Sequence, residues 1–365
     1  MYIDDQRIVL TLDAGGTNFV FSAVRAYKEI GEQLILPAIA DDLDKCLDLL
    51  VYGFEKIKKS LDDEPAAISF AFPGPADYKN GIIGDLPNLK AFRNGVALGP
   101  FLFNKFKIPV FINNDGNLFA YGEALHGALP MVNEWLRRAG NPKRYSNLLG
   151  VTLGTGFGAG VVLNNVLLTG DNGCGGDVWL MKNKKFSGYI AEESVSIRAV
   201  KRVYQELSGM DASSLTPKDI FEIAEGLVPG EREAAIKSFE EMGEIIGDIL
   251  ACVNTVVDGI VVIGGGLTGA GKYIMRGVMR ELAGDIKMLD GTAFPKTQMD
   301  IYDLNDDRAR EIFLANDDKL VRIPHSYEEV LYNKSKKTGI IFSQIGTSRA
   351  VMYGAYAFAL QQLDK

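Results

Sequence analysis

Residues 149–160 read LGVTLGTGFGAG. Apolar and β-branched residues run into Gly154-Thr155-Gly156, and Gly158 and Gly160 follow at once. The stretch reads as a strand that stops in alternating glycines. Glycine leaves the backbone N–H groups uncovered, and their dipoles suit an anion such as phosphate. Taken alone, the same pattern also describes a glycine-built hairpin. A second turn of the same kind lies far upstream in residues 12–17, LDAGGT. Residues 18–24 after it alternate and are rich in Phe and Val, so that turn joins two strands. A P-loop or a dinucleotide fingerprint would place a helix after the glycines, and no G-K-[ST] follows here. Walker A and Rossmann readings are therefore disfavoured. Two phosphate turns that face each other become the expectation.

The totals fit a soluble protein with a small-molecule ligand. At 365 residues, two domains are expected rather than one core. A net charge of −8 argues against binding nucleic acid by bulk charge. Cys46, Cys174 and Cys252 are scattered and odd in number, with no C-x-x-C. A disulfide framework or a thiolate zinc cluster is not expected, and a reducing compartment fits. No leader-like segment and no membrane-length apolar run is present, so the cytoplasm is the expected location.

Outward from the two turns, the chain alternates strands and helices. A helix is expected over 41–60, with aspartates first and lysines last. Strands are expected over 66–72 and 109–112, with a loop over 85–92. The second strand runs into Asn113-Asn114-Asp115-Gly116-Asn117 and then a helix that stops at Gly127. Residues 130–146 are basic and read as an irregular insertion. Asn164-Asn165 marks a hairpin, and 170–188 shows no period. Helices are expected over 192–207, from Thr216-Pro217, and over 231–257. A buried strand over 259–263 ends in Gly264-Gly265-Gly266, with a helix from 272. Residues 285–338 are polar and acid-rich and read as a second insertion. A strand over 340–342 and a closing helix over 347–362 end the chain. The order repeats weakly from residues 7 and 147, which predicts an α/β fold of two lobes with a cleft between them.

At this point the chain resembles the ROK family (repressor, open reading frame, kinase) of sugar kinases, within the actin, hexokinase and chaperone ATPase superfamily. Four motifs carry the resemblance: residues 13–17 (DAGGT), Asn114-Asp115-Gly116-Asn117 ahead of Gly122-Glu123, residues 153–158 (LGTGFG), and residues 263–266 (IGGG). Each is loose, but all four in this order are specific. Gly346 and the residues 349–355 also resemble the family's last segment. The resemblance implies two ribonuclease-H-like lobes, 1–127 plus 343–365 and 128–342. It implies ATP with Mg²⁺, a sugar substrate, a homodimer, and no nucleic-acid or membrane partner. No helix-turn-helix segment stands ahead of residue 7, so the repressor branch is not expected.

The resemblance also assigns roles. Gly15, Gly16 and Thr17 would hold phosphate together with Gly154, Thr155 and Gly156, and Gly264, Gly265 and Gly266 would meet the adenosine. Asp13 would hold the magnesium and its waters, as a hard cation requires. Asp115 would be the general base for the attacking sugar hydroxyl. Sugar contacts would come from Gly74, Asn88, Asn114, Asp115 and Glu192, with Glu193 equally placed by spacing. Plainer roles exist for three of these: Asp115 as a helix cap, Asn88 as a turn residue, and Glu192 as a first-turn helix acid. A catalytically silent sugar or nucleotide binder of the same fold is the alternative to a hexose or amino-sugar kinase. A phosphatase or an acetate-type kinase is further off, because the Asn-Asp pair between two phosphate turns favours sugar.

One stretch departs from the family. Most members follow the second phosphate turn with Gly-His and a cysteine run that binds zinc. Here residues 173–179 read GCGGDVW, with Asp177 at the histidine position and no matching cysteines. Cys174, His126 and His325 lie outside the pattern and cannot fill a tetrahedral site. No structural zinc is expected, and Trp179 and Tyr189 are expected to hold the loop by packing. Asp177 is carried as a sugar-binding candidate, an acceptor where the family has a histidine.

Overall fold

The computed structural model describes residues 1–14, 18–39, 41–86 and 91–365. They form two compact units, one of Met1–Gly127, Ala159–Gly176 and Ile345–Lys365, the other of Ala128–Gly158 and Asp177–Gln344.

The first unit is built on a five-stranded sheet, in the order Lys28–Pro37, Asn18–Arg25, Val9–Ala14, Ala67–Ala71, Val110–Asn113. The first three strands are antiparallel neighbours, and the last two run parallel to Val9–Ala14. Val9, Leu10 and Leu12 are buried, as expected for a strand covered on both faces. Helix Leu43–Lys59 packs Cys46, Leu50, Phe54 and Ile57 into this core at helical spacing. Asp42 caps it by accepting the Lys45 N–H at 3.1 Å. Phe54 meets Phe21 edge-on, with ring centroids 5.1 Å apart.

Helices Asp115–His126 and Thr347–Leu363 pack backbone to backbone. A Cβ on Gly122 would lie 1.9 Å from the Ala350 carbonyl oxygen, and one on Gly354 would lie 1.8 Å from that of Leu118. Only glycine allows such an approach. The small residues expected on the inner side of the closing helix do this work, and Ala350, Gly354 and Ala355 are all buried.

In the second unit, strands Leu148–Leu153, Ile260–Gly264, Lys337–Phe342 and Asp300–Asp303 lie parallel in that order. Ile260–Gly264 (IVVIG) is flanked on both edges and buried throughout, which explains its unbroken apolar run. Helix Pro217–Glu225 starts in a full capping box, Thr216 with Asp219. Helices Arg232–Val257 and Gly271–Leu282 touch closely at Gly243 and Gly277.

Several expectations need correction. Residues 130–146 are not irregular, since helix Ala128–Arg138 occupies their first half. Its buried stripe, Leu129, Val132 and Leu136, is narrow, and the basic residues around it disguise the helical period. The helix expected from Glu192 starts at Ile197, and Glu192 sits in a short 3-10 turn, Ala191–Glu193, ahead of it. Residues 285–338 hold two hairpins, strand Asp300–Asp303 and helix Asp307–Leu314. Strand Lys28–Pro37 and helix Leu98–Phe106 are not foreseen from the sequence, and the first is an edge strand with little burial. The Asn164-Asn165 hairpin is as expected, with φ of 51° and 62°, the left-handed pair that a two-residue turn requires. Among the described residues, no helix is long and apolar enough to cross a membrane.

Candidate active site

In the first unit the candidate residues leave the carboxyl ends of three neighbouring parallel strands. Asp13 stands near the end of Val9–Ala14, Gly74 follows Ala67–Ala71, and Asn114 and Asp115 follow Val110–Asn113. The Phe72 N–H donates to the Asn113 carbonyl at 3.0 Å, so the last two segments leave the sheet side by side. This edge is where open α/β sheets bind their ligands.

Asp115 is held by a local network. Asn113 is buried, and its Oδ1 accepts the Asn114 N–H at 2.8 Å and the Asn117 amide at 3.1 Å. Asn114 caps the helix, its Oδ1 accepting the Gly116 N–H at 2.8 Å. Asp115 Oδ1 accepts the same N–H at 2.9 Å. The capping role thus falls to Asn114, and Asp115 keeps Oδ2 outside that bond. Gly116 presses on the backbone of Ala159, where a Cβ would lie 2.6 Å from the carbonyl oxygen. The helix start is fixed in place as a result.

The Asp115 side chain is exposed to solvent, yet the protein around it displaces part of its hydration. That desolvation raises its carboxyl above the ordinary carboxylate range, opposed by the hydrogen bond from the Gly116 N–H. The negative charge of Asp13 pushes in the same upward direction. Asp13 is itself exposed. Gly74 is half-buried beside Tyr78, whose hydroxyl donates to the Phe72 carbonyl at 2.9 Å. Gly15, Gly16, Thr17 and Asn88 lie outside the described residues.

In the second unit the two glycine turns sit at the carboxyl ends of adjacent parallel strands, Leu148–Leu153 and Ile260–Gly264. They touch: a Cβ on Gly265, which has φ +98°, would lie 2.1 Å from the Leu153 carbonyl oxygen. Gly265 is therefore glycine for the protein's own sake. Gly154 and Gly266 are not. Neither has a positive φ, and a Cβ on either would meet nothing within 4 Å. Thr155 is exposed between Gly154 and Gly156, and Gly264 is the buried last residue of its strand.

The first turn is clasped at two points by the segment 192–198. Glu192 Oε2 accepts the Phe157 N–H at 3.0 Å, and the Ile197 N–H donates to the Gly154 carbonyl at 3.0 Å. Gly156 leaves room for the carboxylate, since a Cβ there would lie 2.5 Å from Glu192 Oε2. Arg198 holds Glu192 Oε1 at 3.1 Å and Glu193 Oε1 at 2.8 Å. The two glutamates, equivalent by spacing, therefore differ, and only Glu192 meets the turn. Arg198 and Asn113 are absent from the sequence-based candidates. The E-E-x4-R spacing and the first Asn of the Asn-Asn-Asp run were the available signals.

A ROK family profile matches residues 9–286. The chain belongs to the ROK family. This ROK chain is similar to the crystal structure of a glucokinase from Parabacteroides distasonis, with 57% identity and a TM-score of 0.89 over 99% of each chain. It is also similar to a glucokinase of Thermotoga maritima, 27% identical over 297 residues, which is 77% of this chain and 88% of the relative. A ROK family glucokinase from Streptomyces griseus, solved in complex with glucose and AMPPNP, shares the fold at TM-score 0.59 and 17% identity, over 96% of this chain and 98% of that one. The fold is the α/β actin-like ATPase and hexokinase class that the motifs implied.

Within the ROK frame, the departure expected from the sequence lies in the loop after the Gly154–Gly156 turn. Asp177 is exposed and precedes the Val178–Leu180 turn. What desolvation it has raises its carboxyl, against a hydrogen bond from Trp179. A short ladder ties this turn to that of Glu192, with Ala191 N–H to Met181 carbonyl at 2.7 Å and Asn183 N–H to Tyr189 carbonyl at 2.9 Å. Of the two aromatics expected to pack the loop, Trp179 is half-buried and Tyr189 is 62% exposed. Buried Asn183 cross-links the loop, donating to the Ile190 carbonyl and Ser194 Oγ and accepting from the Lys185 and Phe186 N–H groups. Among the described residues, no group of three or more His, Cys, Asp or Glu is placed to hold a metal ion. Metal analysis of the purified protein should find less than one zinc per ten chains; stoichiometric zinc would contradict this reading of the loop.

Proposed function

We propose that the chain is an ATP-dependent sugar kinase of glucokinase type, with glucose as its first candidate acceptor and Asp115 as general base. The observation that carries the proposal is the Asp115 carboxylate itself: exposed, raised above its ordinary range, and fixed by Asn113, Asn114 and Gly116. The glucokinase of 57% identity supports the substrate class. In the reaction, a sugar hydroxyl oxygen bonds to the γ-phosphorus while the bond from that phosphorus to the β–γ bridging oxygen breaks. Asp115 takes the hydroxyl proton, and ADP leaves with the bridging oxygen. Positioning and charge neutralisation supply most of the rate in such transfers.

Gly154 and Gly266 fit an anionic nucleotide. Neither backbone conformation nor packing requires glycine there, so a bare backbone for a ligand explains both. Gly15, Gly16, Thr17, Thr155, Gly156, Gly264 and Gly265 complete the proposed nucleotide contacts. The donor set for magnesium is hard oxygen, Asp13 with Asp115 close enough to repel it. Asp13 would hold the ion, which when bound neutralises phosphate charge. Sugar contacts are assigned to Gly74, Asn88, Asn114, Asp115, Asp177 and Glu192. The functional lobes are 1–127 plus 343–365 and 128–342, and the working assembly is a cytoplasmic homodimer.

A coupled ADP-release assay over hexoses, amino-sugars and acylated amino-sugars tests the proposal. Glucose-dependent ADP release is expected; nucleotide binding without turnover on any sugar would favour the silent binder. Gly154→Ala and Gly266→Ala should fold as the wild type, because their methyl groups enter open space. Each should raise the KM for ATP about tenfold or more, the equivalent of about 1.4 kcal/mol. An unchanged KM for ATP in both would remove the phosphate and adenosine assignments.

A further inference from the structure

Strands Lys319–Arg322 and Glu329–Tyr332 form a two-stranded antiparallel sheet in the second unit. It lies beyond the residues that the ROK profile matches. All eight residues are exposed, including Leu320 at 61% and Leu331 at 71%. A lone hairpin with both faces in water is marginal, and its free edges invite another strand.

The ladder register shows what the outer edge offers. The Ile323 N–H donates to the Glu328 carbonyl, and Val321 pairs with Val330. Antiparallel ladders alternate, so Glu328, Val330 and Tyr332 turn their backbone groups inward. Glu329 and Leu331 then turn theirs outward, away from the partner strand.

Along this edge and just past its ends, residues 328–334 read EEVLYNK, with the strand itself at Glu329–Tyr332, acidic at one end, apolar in the middle and basic at the other. Such a segment is complementary to its own reverse. Antiparallel pairing with an identical edge, centred on Leu331, uses the outward groups of Glu329 and Leu331. It sets Val330 opposite Tyr332 and, with the strand carried on by one residue at its start and two at its end, Glu328 opposite Lys334. Opposite charges and an aromatic beside a β-branched residue are both favourable cross-strand pairs. The other edge, KLVR, would oppose Lys319 to Arg322 and repel.

We propose that the outer edge of Glu329–Tyr332 pairs with the same edge of a second copy of this chain across a two-fold axis, joining two hairpins into one four-stranded sheet. The surface deepens the homodimer reading by naming its seam, and it does not depend on the sugar acted on.

Sedimentation equilibrium of the full chain tests it, with charge reversal on either side of the seam. Glu328→Lys and Lys334→Glu should each halve the particle mass, with melting temperatures within about 2 °C of the wild type, as for exposed substitutions. The double variant Glu328→Lys/Lys334→Glu restores complementarity and should restore the wild-type mass. A monomeric wild type, or single variants that keep the wild-type mass, would overturn the seam. ADP release measured on the same samples reads the kinase proposal separately, since no residue of that site is altered.

Discussion

Asp115→Asn should lower kcat by about 10²–10⁴-fold, the usual share of a positioned general base. The amide keeps the shape of the carboxylate and can still accept the Gly116 N–H through Oδ1, so the helix start survives. What it cannot do is take the hydroxyl proton. KM for glucose and for ATP should move little, because the variant removes proton acceptance and not binding area. The pH dependence gives an independent readout. A base works only when ionised, and desolvation together with the Asp13 charge holds the Asp115 carboxyl above the ordinary range. Wild-type kcat/KM should therefore fall on acidification through that raised value, at a higher pH than an unperturbed carboxylate would give. This acid limb should vanish in the variant.

Stability should move the other way. A carboxyl whose folded-state pKa is raised contributes its full stability below the unfolded value and loses it as pH rises through the folded one. At neutral pH the charge is therefore a cost, and Asp115→Asn should melt at or above the wild-type temperature. Lost turnover with no loss of stability separates chemistry from misfolding. Turnover within about threefold of wild type would remove the base assignment.

Gly354→Ala should have the second-largest effect, on folding. Its methyl would lie 1.8 Å from the Leu118 carbonyl oxygen, inside van der Waals contact with backbone that no rotamer change can move. Helix propensity returns at most about 1 kcal/mol for the replacement. Ordinary overpacking costs about 1–3 kcal/mol, and a backbone clash of this depth about 4 kcal/mol or more. The clash wins. For a chain of this size, a melting temperature lower by about 5 °C or more, or a poor soluble yield, is expected. Gly122→Ala, aimed at Ala350 from the facing helix, should behave alike. Gly269→Ala is the control, for its methyl would meet nothing within 4 Å. A Gly354→Ala protein that melts within about 2 °C of wild type would show that the helices separate freely, against this account.

The sequence made some of this legible and hid the rest for physical reasons. The turns after Leu153 and Ile263 could be read because a buried strand and its terminal glycines are both local signals. The helix start at Asp115 could be read because Asn114, Gly116 and Asn117 flank it. Helix Ala128–Arg138 could not, since Arg137, Arg138 and Glu134 mask a three-residue apolar stripe. The clasp between Glu192 and Phe157 is tertiary, and no pattern distinguishes Glu192 from Glu193 before the chain folds. Asn183 carries no local signal, because its partners lie across a loop with no period. The Gly122 and Gly354 contact joins distant helices, and the sequence offered only small residues on one face.

The two-point tie between segment 192–198 and the Gly154–Gly156 turn has a thermodynamic consequence. Glu192 is assigned to the sugar and Gly154 to the nucleotide, and the two pieces are tied by the Phe157 N–H on the Glu192 carboxylate and the Ile197 N–H on the Gly154 carbonyl. With those assignments, a displacement of either piece by its ligand would be delivered to the other. Free-energy coupling of this kind is reciprocal. Whatever factor bound sugar contributes to nucleotide affinity, bound nucleotide must contribute to sugar affinity. With that coupling, glucose measured in the presence of a non-hydrolysable nucleotide would bind with a different dissociation constant than glucose alone, and the ratio would be the same read from either ligand.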